Sequence, residues 1–285
     1  MKKKKCLLID RLLQDNWFTT MNEAVPWIMA GKILVNNQPA TGLKVKIDTD
    51  AEIRIREYYK TRYVNKGGLK LEGALRDFQI DVTGKTALDC GASTGGFTDC
   101  LIQFGAKKVY AVDVGYGQLA GKLQINPDVV NMEKMNLSDP VLLKLEPIPD
   151  IITLDLSYLS LTKAVPICKE ILHGKEAQLV CLVKPLFEIA DSEMKRSGNV
   201  LQISLIRDML RTLCLELSDS NTSIFGITNS PVSGNRGTLE FFLGISVNAR
   251  CRNIDIDSSI DIALERAKEI NKFNKNSYTN ELSGL

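Results

Sequence analysis

Residues 86–115 read TALDCGASTGGFTDCLIQFGAKKVYAVDVG. The stretch opens as a short apolar strand, Thr86 to Leu88, that ends in Asp89. The glycine-rich turn Gly91-Ala92-Ser93-Thr94-Gly95-Gly96 follows, a helix is predicted from about Phe97, and a second strand, Val109 to Val112, ends in Asp113. A glycine turn between strand and helix, with an acid closing the next strand, places one nucleotide-like ligand across the first two strands of a doubly wound sheet. The competing reading is a tight strand-to-helix turn without a ligand.

The turn itself narrows the ligand. A dinucleotide fingerprint needs G-x-G-x-x-G, because its middle glycine lets the backbone approach a pyrophosphate. Ser93 occupies that middle position here, and the spacing is G-x-x-x-G-G. A diphosphate is therefore disfavoured. A nucleoside carrying a carboxylate-bearing arm fits better, and S-adenosylmethionine is such a molecule. Its carboxylate would lie near a helix N-terminus, and Asp113 would accept hydrogen bonds from the ribose hydroxyls.

Working outward, strand-like runs recur at 86–90, 108–113, 129–133, 150–155, 177–183, 223–228 and 238–246, with helical stretches between most of them. Such alternation predicts the α/β class, a sheet with helices on both faces. The 285 residues and 44% hydrophobic content allow one large or two modest domains with a proper core. The seven cysteines are scattered and form no C-x-x-C pair, which argues for free thiols and against a zinc site, so no metal is expected. His173 is the only histidine, which disfavours histidine-based acid–base chemistry. The start MKKKKCLLIDRLL is basic and then only briefly apolar, too short for a signal-peptide core, and no apolar run is long enough for a membrane span. A cytoplasmic protein, monomeric and independent of membranes, is the expectation.

Charge is uneven along the chain. Residues 1–66 hold 13 Lys and Arg against 7 Asp and Glu, a net of +6, whereas the remainder is net −4. A basic front end on a near-neutral body suits a polyanionic partner. Residues 6–18 and 21–31 read as two short helices, followed by a strand at Ile33 to Val35, a turn at Asn36-Asn37, and further alternating apolar positions at Val45, Ile47, Ile53 and Ile55. The division expected is a small domain over 1–60, a linker over 61–66, a large domain over 67–247, and a polar extension over 248–285. The extension is expected to be helical over 258–273 and disordered from 274 on.

Three later segments place charge at strand ends: Ile151 to Ser157 around Asp155, Leu179 to Pro185 around Lys184, and Gly234 to Phe242 around Glu240. Ligands of open α/β sheets bind beyond the carboxyl ends of the parallel strands. Asp155 and Lys184 close such strands, and Glu240 meets the same edge if its strand runs antiparallel. Each residue alone reads more simply as part of a buried ion pair. It is their convergence on the edge holding the glycine turn that points to chemistry.

Two resemblances carry these readings further. The front end resembles the small RNA-binding domain of ribosomal-protein-four type through Asp10-Arg11-Leu12-Leu13, Ala24, Ile28 to Asn36 and Val45. It implies phosphate contacts from Arg11, Lys32, Lys44, Lys46, Arg54, Arg56 and Arg62. Residues 62–245 resemble the hemolysin A, or TlyA-type, rRNA methyltransferases within the FtsJ-like ribose 2′-O-methyltransferases. The carrying strings are Arg62-Tyr63-Val64, Gly67 to Leu71, Asp89 to Asp99, Ala111 to Leu119, Asp155 to Leu161, Lys184 to Glu188 and Ser230-Pro231-Val232. The resemblance implies a Rossmann-like sheet that binds S-adenosylmethionine and transfers methyl to rRNA or ribosomal subunits at a cytidine 2′-hydroxyl. It implies a tetrad of Lys70, Asp155, Lys184 and Glu240, with Lys184 orienting or deprotonating the hydroxyl, Lys70 tuning charge and the acids holding the amines. It also implies a cofactor set of Asp89, Gly91, Ser93, Thr94, Gly95, Gly96, Asp113 and Asn136. This sequence departs from the pattern at Leu186, around Gln124, Asp128 and Ser138, and in the loop 195–204. The alternative functions are a non-catalytic RNA-binding or ribosome-assembly factor and, from the family name alone, a cytolysin.

Overall fold

A computed structural model describes residues 5–15, 17–18, 20–55, 62–188, 203–234, 237–249 and 254–279. The chain divides into a small unit ending at Arg62 and a large unit from Tyr63 onward.

The small unit contains β1 (Lys5–Leu7), α1 (Leu8–Gln14), α2 (Met21–Met29), β2 (Ile33–Val35), β3 (Gln38–Pro39), β4 (Lys46–Asp48) and β5 (Ile53–Ile55). The first helix starts later than its apolar spacing suggested. Cys6 and Leu7 lie in β1, which pairs antiparallel with β4 through Cys6 opposite Ile47. β2 sits between β3 and β5. Asn36 and Asn37 both adopt positive φ, +48° and +63°, as a tight two-residue hairpin requires. Leu8, Ile9, Leu12, Ala24, Ile28, Ile33 and Ile47 form the core that binds these short elements together.

The large unit is built on seven strands: β6 (Thr86–Cys90), β7 (Lys108–Asp113), β8 (Val129–Glu133), β9 (Ile151–Leu154), β10 (Ala177–Val183), β11 (Thr222–Asn229) and β12 (Phe241–Val247). Their spatial order is β11-β12-β10-β9-β6-β7-β8. β6 pairs parallel with both β7 and β9, and β9 pairs parallel with β10. β12 alone is reversed, pairing antiparallel with β10 and β11. The α/β, Rossmann-like reading is correct, as is the antiparallel run that Glu240 needs. Helix α3 (Lys66–Asp77) precedes β6, and helices α4 (Gly96–Gln103), α5 (Gly121–Gln124), α6 (Leu161–Ile171), α7 (Pro185–Glu188) and α8 (Ile203–Leu217) lie in the connections between strands. The strands are apolar almost throughout because both faces are covered. Leu71, Leu75, Phe97, Leu101 and Phe242 pack on one side, while Leu154, Leu161, Cys168, Leu210 and Phe241 belong to the core of the other.

The C-terminal segment differs from expectation. Helix α9 (Ile256–Thr279) runs beyond the predicted end at 273, and Ile260, Ala263, Leu264 and Ala267 are buried in the main core. This region is therefore part of the large unit and not an appendage beyond 247. Arg207 on α8 grips it through Asp261 at 2.8 Å and Asp257 at 3.2 Å. Residues 280–285 lie outside the described residues, as does most of the loop 195–204. Among the described residues no helix is long and apolar enough to cross a membrane.

Candidate functional site

The glycine turn sits where β6 gives way to α4. Gly91 and Gly95 take φ of +85° and +95°, values that L side chains rarely adopt. Their neighbours demand glycine as well: a Cβ on Gly91 would strike the carbonyl oxygen of Asp155, and one on Gly95 would strike Leu123. Gly96 is equally confined by Asn65. Ser93 and Thr94 are exposed on the rim of the turn. Ser93 itself has φ +49°, and its N–H donates to Asp113 Oδ2 at 2.8 Å, while Gly115 N–H donates to Oδ1 at 2.7 Å. Asp113, half-buried at the end of β7, is thus held rigidly beside the turn.

Asp89 is placed differently from the rest of the expected cofactor set. It is fully buried beneath the turn, and its two oxygens accept from Thr98 at 2.6 Å and Thr153 at 2.8 Å. Burial pushes its carboxyl up to about 6, against the pull of the two hydroxyls and with added repulsion from Asp155. Its geometry ties α4 to β9 from below. Asn136 is exposed, and its side-chain carbonyl accepts from the N–H and hydroxyl of Ser138, both at 2.7 Å. Glu133, at the end of β8, accepts from Gln118 N–H at 3.1 Å and Leu119 N–H at 3.4 Å. Backbone N–H groups, Gly117 foremost, hold its carboxyl below the usual range.

Four adjacent strands bring the charged candidates to this same edge. Cys90 lies opposite Leu154, so Asp155 directly follows beside the turn; its N–H donates to Cys90 O at 3.0 Å. Val183 lies opposite Phe241, which sets Lys184 and Glu240 next to one another in register. Two ion pairs result. Lys184 Nζ stands 2.5 Å from Asp155 Oδ1, with the side chains 17% and 25% exposed, and also donates to Ser157 Oγ at 3.2 Å and Leu156 O at 3.4 Å. Lys70, carried in by α3, stands 2.5 Å from Glu240 Oε2, both side chains only 7% exposed. Asp155 Oδ1 and Glu240 Oε2 are buried and face no other hydrogen-bond donor among the described residues. One pair is sealed in the protein and the other reaches the surface.

Supports for α3 were not foreseen from the sequence. Asn65 caps it by accepting from Gly67 N–H at 2.6 Å and also donates to Thr94 Oγ1. Val64 N–H donates to Asp99 Oδ2 at 2.8 Å, an oxygen that Lys122 also meets at 2.8 Å. Pro231 lies against Gly73, and Lys66 Nζ reaches Ser233 O at 3.3 Å. These bonds link segments far apart in sequence, and only Asn65 before a helix carried a local signal, that of an N-cap. The buried cysteines take no part. Burial drives the Cys90 and Cys181 thiols well up, and Cys168 to about 12.

In the small unit, Arg11 is engaged internally, with Asp15 Oδ2 at 2.6 Å and the Thr49 carbonyl. Arg54 donates to Asn37 Oδ1 at 3.1 Å, and Lys32 lies 5.4 Å from the centre of the Trp27 ring. Lys44, Lys46 and, at the boundary, Arg62 are exposed. Arg56 lies outside the described residues.

Comparison with known proteins gives the family. The family model of FtsJ-like methyltransferases matches residues 63–246. The chain belongs to that family. Hemolysin A of Brachyspira hyodysenteriae is 36% identical over 236 residues, covering 82% of this chain and 97% of that one. The 16S/23S rRNA (cytidine-2′-O)-methyltransferase TlyA of Mycobacterium tuberculosis is 33% identical over 221 residues, covering 78% and 82%. A solved structure described as a hemolysin from Streptococcus thermophilus superposes with a TM-score of 0.72 at 35% identity, covering 96% of this FtsJ-like chain and 100% of its own.

Proposed function

We propose that this protein transfers a methyl group from S-adenosylmethionine to a ribose 2′-hydroxyl of ribosomal RNA, at cytidine. The observation that carries the reading is the placement of two lysine–carboxylate pairs on the sheet edge that holds the glycine turn. The turn suits the donor. Glycines whose Cβ positions are already filled by Asp155 and Leu123 keep it tight, Ser93 and Thr94 offer polar groups at its exposed rim, and Asp113, fixed beside the turn by Ser93 and Gly115 N–H, is the acceptor for the ribose hydroxyls. Asn136 and Glu133 flank the far side of the same edge. Bound there, S-adenosylmethionine supplies an electrophilic sulfonium methyl.

The remaining work falls to the chain. A ribose hydroxyl is a weak nucleophile, so it must be aligned with the methyl and relieved of its proton. Lys184, partly exposed and fixed by Asp155, Leu156 and Ser157, holds the acceptor oxygen. Lys184 Nζ takes up the hydroxyl proton as it passes one of its own to Asp155 Oδ1, 2.5 Å away. Lys70 and Glu240, buried alongside, keep a second fixed dipole at the site and anchor α3 to β12. Asp89 acts from beneath, holding the turn's helix to β9. The small unit binds RNA through backbone phosphates, using Lys32, Lys44, Lys46, Arg54, Arg56 and Arg62, and the excess of basic residues over 1–66 supports this. Arg11 serves the fold of that unit. The protein works in the cytoplasm, where its substrate is made.

The test is mass spectrometry of rRNA nucleosides from cells with and without the protein. Loss of a 2′-O-methylcytidine on deletion is the expected result. An unchanged nucleoside profile would instead favour a non-catalytic RNA-binding factor.

A further inference from the structure

Helix α6 begins without help from its own cap residue. Ser160 sits at its N-cap position but makes no side-chain cap bond; its hydroxyl faces Thr162 Oγ1 at 3.0 Å. The first N–H of the helix, on Leu161, is taken instead by a carboxylate from another segment. Glu188 accepts it through Oε1 at 3.2 Å and Oε2 at 3.4 Å. Glu188 closes the single turn that starts just after Lys184: Phe187 N–H donates to the Lys184 carbonyl at 2.8 Å, and Glu188 N–H reaches it at 3.4 Å.

The bond therefore closes a ring. One side runs from Asp155 through Leu156 and Ser157 to Leu161. The other runs from Lys184 through Pro185 to Glu188. At one point the sides are joined by Lys184 Nζ on Asp155, Leu156 O and Ser157 Oγ, and at the other by Glu188 on Leu161. A lysine side chain has four rotatable bonds and a compact charge, so it holds one position only if its backbone and its partners are both fixed. We propose that Glu188 is a positioning residue for methyl transfer: by fastening the turn after β10 to the N-terminus of α6, it fixes the distance between the Lys184 backbone and the loop carrying Asp155. This rests on the role assigned to Lys184 above.

The test compares Glu188→Ala and Glu188→Gln with the wild type in single-turnover methylation of ribosomal subunits, with S-adenosylmethionine affinity and thermal stability measured in parallel. Gln keeps an acceptor for Leu161 N–H and loses only the charge. Glu188→Ala should lower the rate ~10- to 100-fold, the scale of loss from small misplacement of a reacting group. Donor affinity should stay within about twofold, because the change acts on positioning and not on binding. Glu188→Gln should recover most of the rate. The double variant Glu188→Ala with Ser160→Asp restores a local cap to α6, so stability should return while the rate stays low.

Recovery of the rate together with stability would reduce Glu188 to a helix cap and overturn the proposal. Equal losses in Glu188→Ala and Glu188→Gln would also overturn it, as would a wild-type rate in Glu188→Ala. A readout independent of turnover is competitive acylation of lysines followed by peptide mass spectrometry. Lys184 should label faster in Glu188→Ala than in wild type, relative to the sealed Lys70. Faster labelling in a protein whose wild type never methylates RNA would sink the assigned function and leave the positioning intact. Unchanged labelling would sink the positioning itself.

Discussion

Replacing Lys70 by Met removes one member of the sealed pair and leaves the Glu240 carboxylate facing a thioether. The charged atoms are 2.5 Å apart, and each side chain is 7% exposed, so solvent screening is weak. At an effective dielectric near 20, that separation corresponds to about 6–7 kcal/mol of attraction. Desolvation of the two ions opposes it with several kcal/mol each, which leaves the intact pair near balance. Loss of one partner leaves the other's desolvation uncompensated, a cost of about 3–5 kcal/mol. Lys70→Met and Glu240→Leu should therefore each lower the free energy of unfolding by about that amount. The double variant should recover much of it, giving a coupling energy of about 2 kcal/mol or more. Urea titration followed by circular dichroism, with the m-value checked for constancy, measures all four corners of the cycle. Methyl transfer should stay lost in the stable double variant, which separates the pair's chemistry from its structural effect. Single substitutions costing under about 1 kcal/mol, or strictly additive effects, would refute the sealed-pair reasoning.

Three further outcomes follow from the site and the small unit. Gly91→Ala forces a Cβ against the Asp155 carbonyl at φ +85°; it should destabilise by about 1–3 kcal/mol and abolish the rise in melting temperature on adding S-adenosylmethionine, read by differential scanning fluorimetry. Asp89 is raised from 3.8 to about 6 by burial, so its contribution to stability is complete below pH ~4 and lost as pH rises through ~6, roughly 3 kcal/mol in all. Asp89→Asn should flatten that slope in urea melts across pH 4 to 7, and an unchanged slope would show that another group causes it. Lys44→Ala with Lys46→Ala should weaken binding to rRNA fragments uniformly across sequences and lower the slope of log affinity against log salt by ~1.4 to 1.8, measured by fluorescence anisotropy.

Much of the large unit was legible because its signals are local. A strand buried on both faces reads as an apolar run, as Leu179 to Val183 does, and a glycine turn marks the next helix start. Asp155, Lys184 and Glu240 were visible as charges breaking apolar ends, and topology alone brings such ends to one edge. Their partners were not legible. The resemblance implied the tetrad but not its pairing; that Lys184 meets Asp155 and Lys70 meets Glu240 is seen only in the structure, since apolar periodicity fixes a face but not a contact. The ties from Asn65 to Thr94, from Glu188 to Leu161 and from Thr98 and Thr153 to Asp89 are hydrogen bonds between separate elements, and no local pattern announces them. The last helix was underread for another reason. A helix was expected over 258–273, but its exposed face is so charged that nothing local announced its run to Thr279 or the burial of Ile260, Ala263, Leu264 and Ala267 in the main core. Arg11 hid partners of the same kind: an arginine in a basic domain suggests phosphate, and nothing local announced that Asp15 and the Thr49 carbonyl hold it.

Transfer of methyl to a ribose oxygen and its dependence on Lys184 can be tested together. Purified protein incubated with ribosomal subunits lacking the modification and with methyl-labelled S-adenosylmethionine tests both parts. Alkaline hydrolysis of RNA requires a free 2′-hydroxyl, so a 2′-O-methylated nucleotide survives in an alkali-resistant dinucleotide, whereas a methylated base is released in a mononucleotide. Label is expected in dinucleotides with the wild type and none with Lys184→Ala, which should still bind the donor. Label in mononucleotides, or undiminished transfer by Lys184→Ala, would contradict the proposed function.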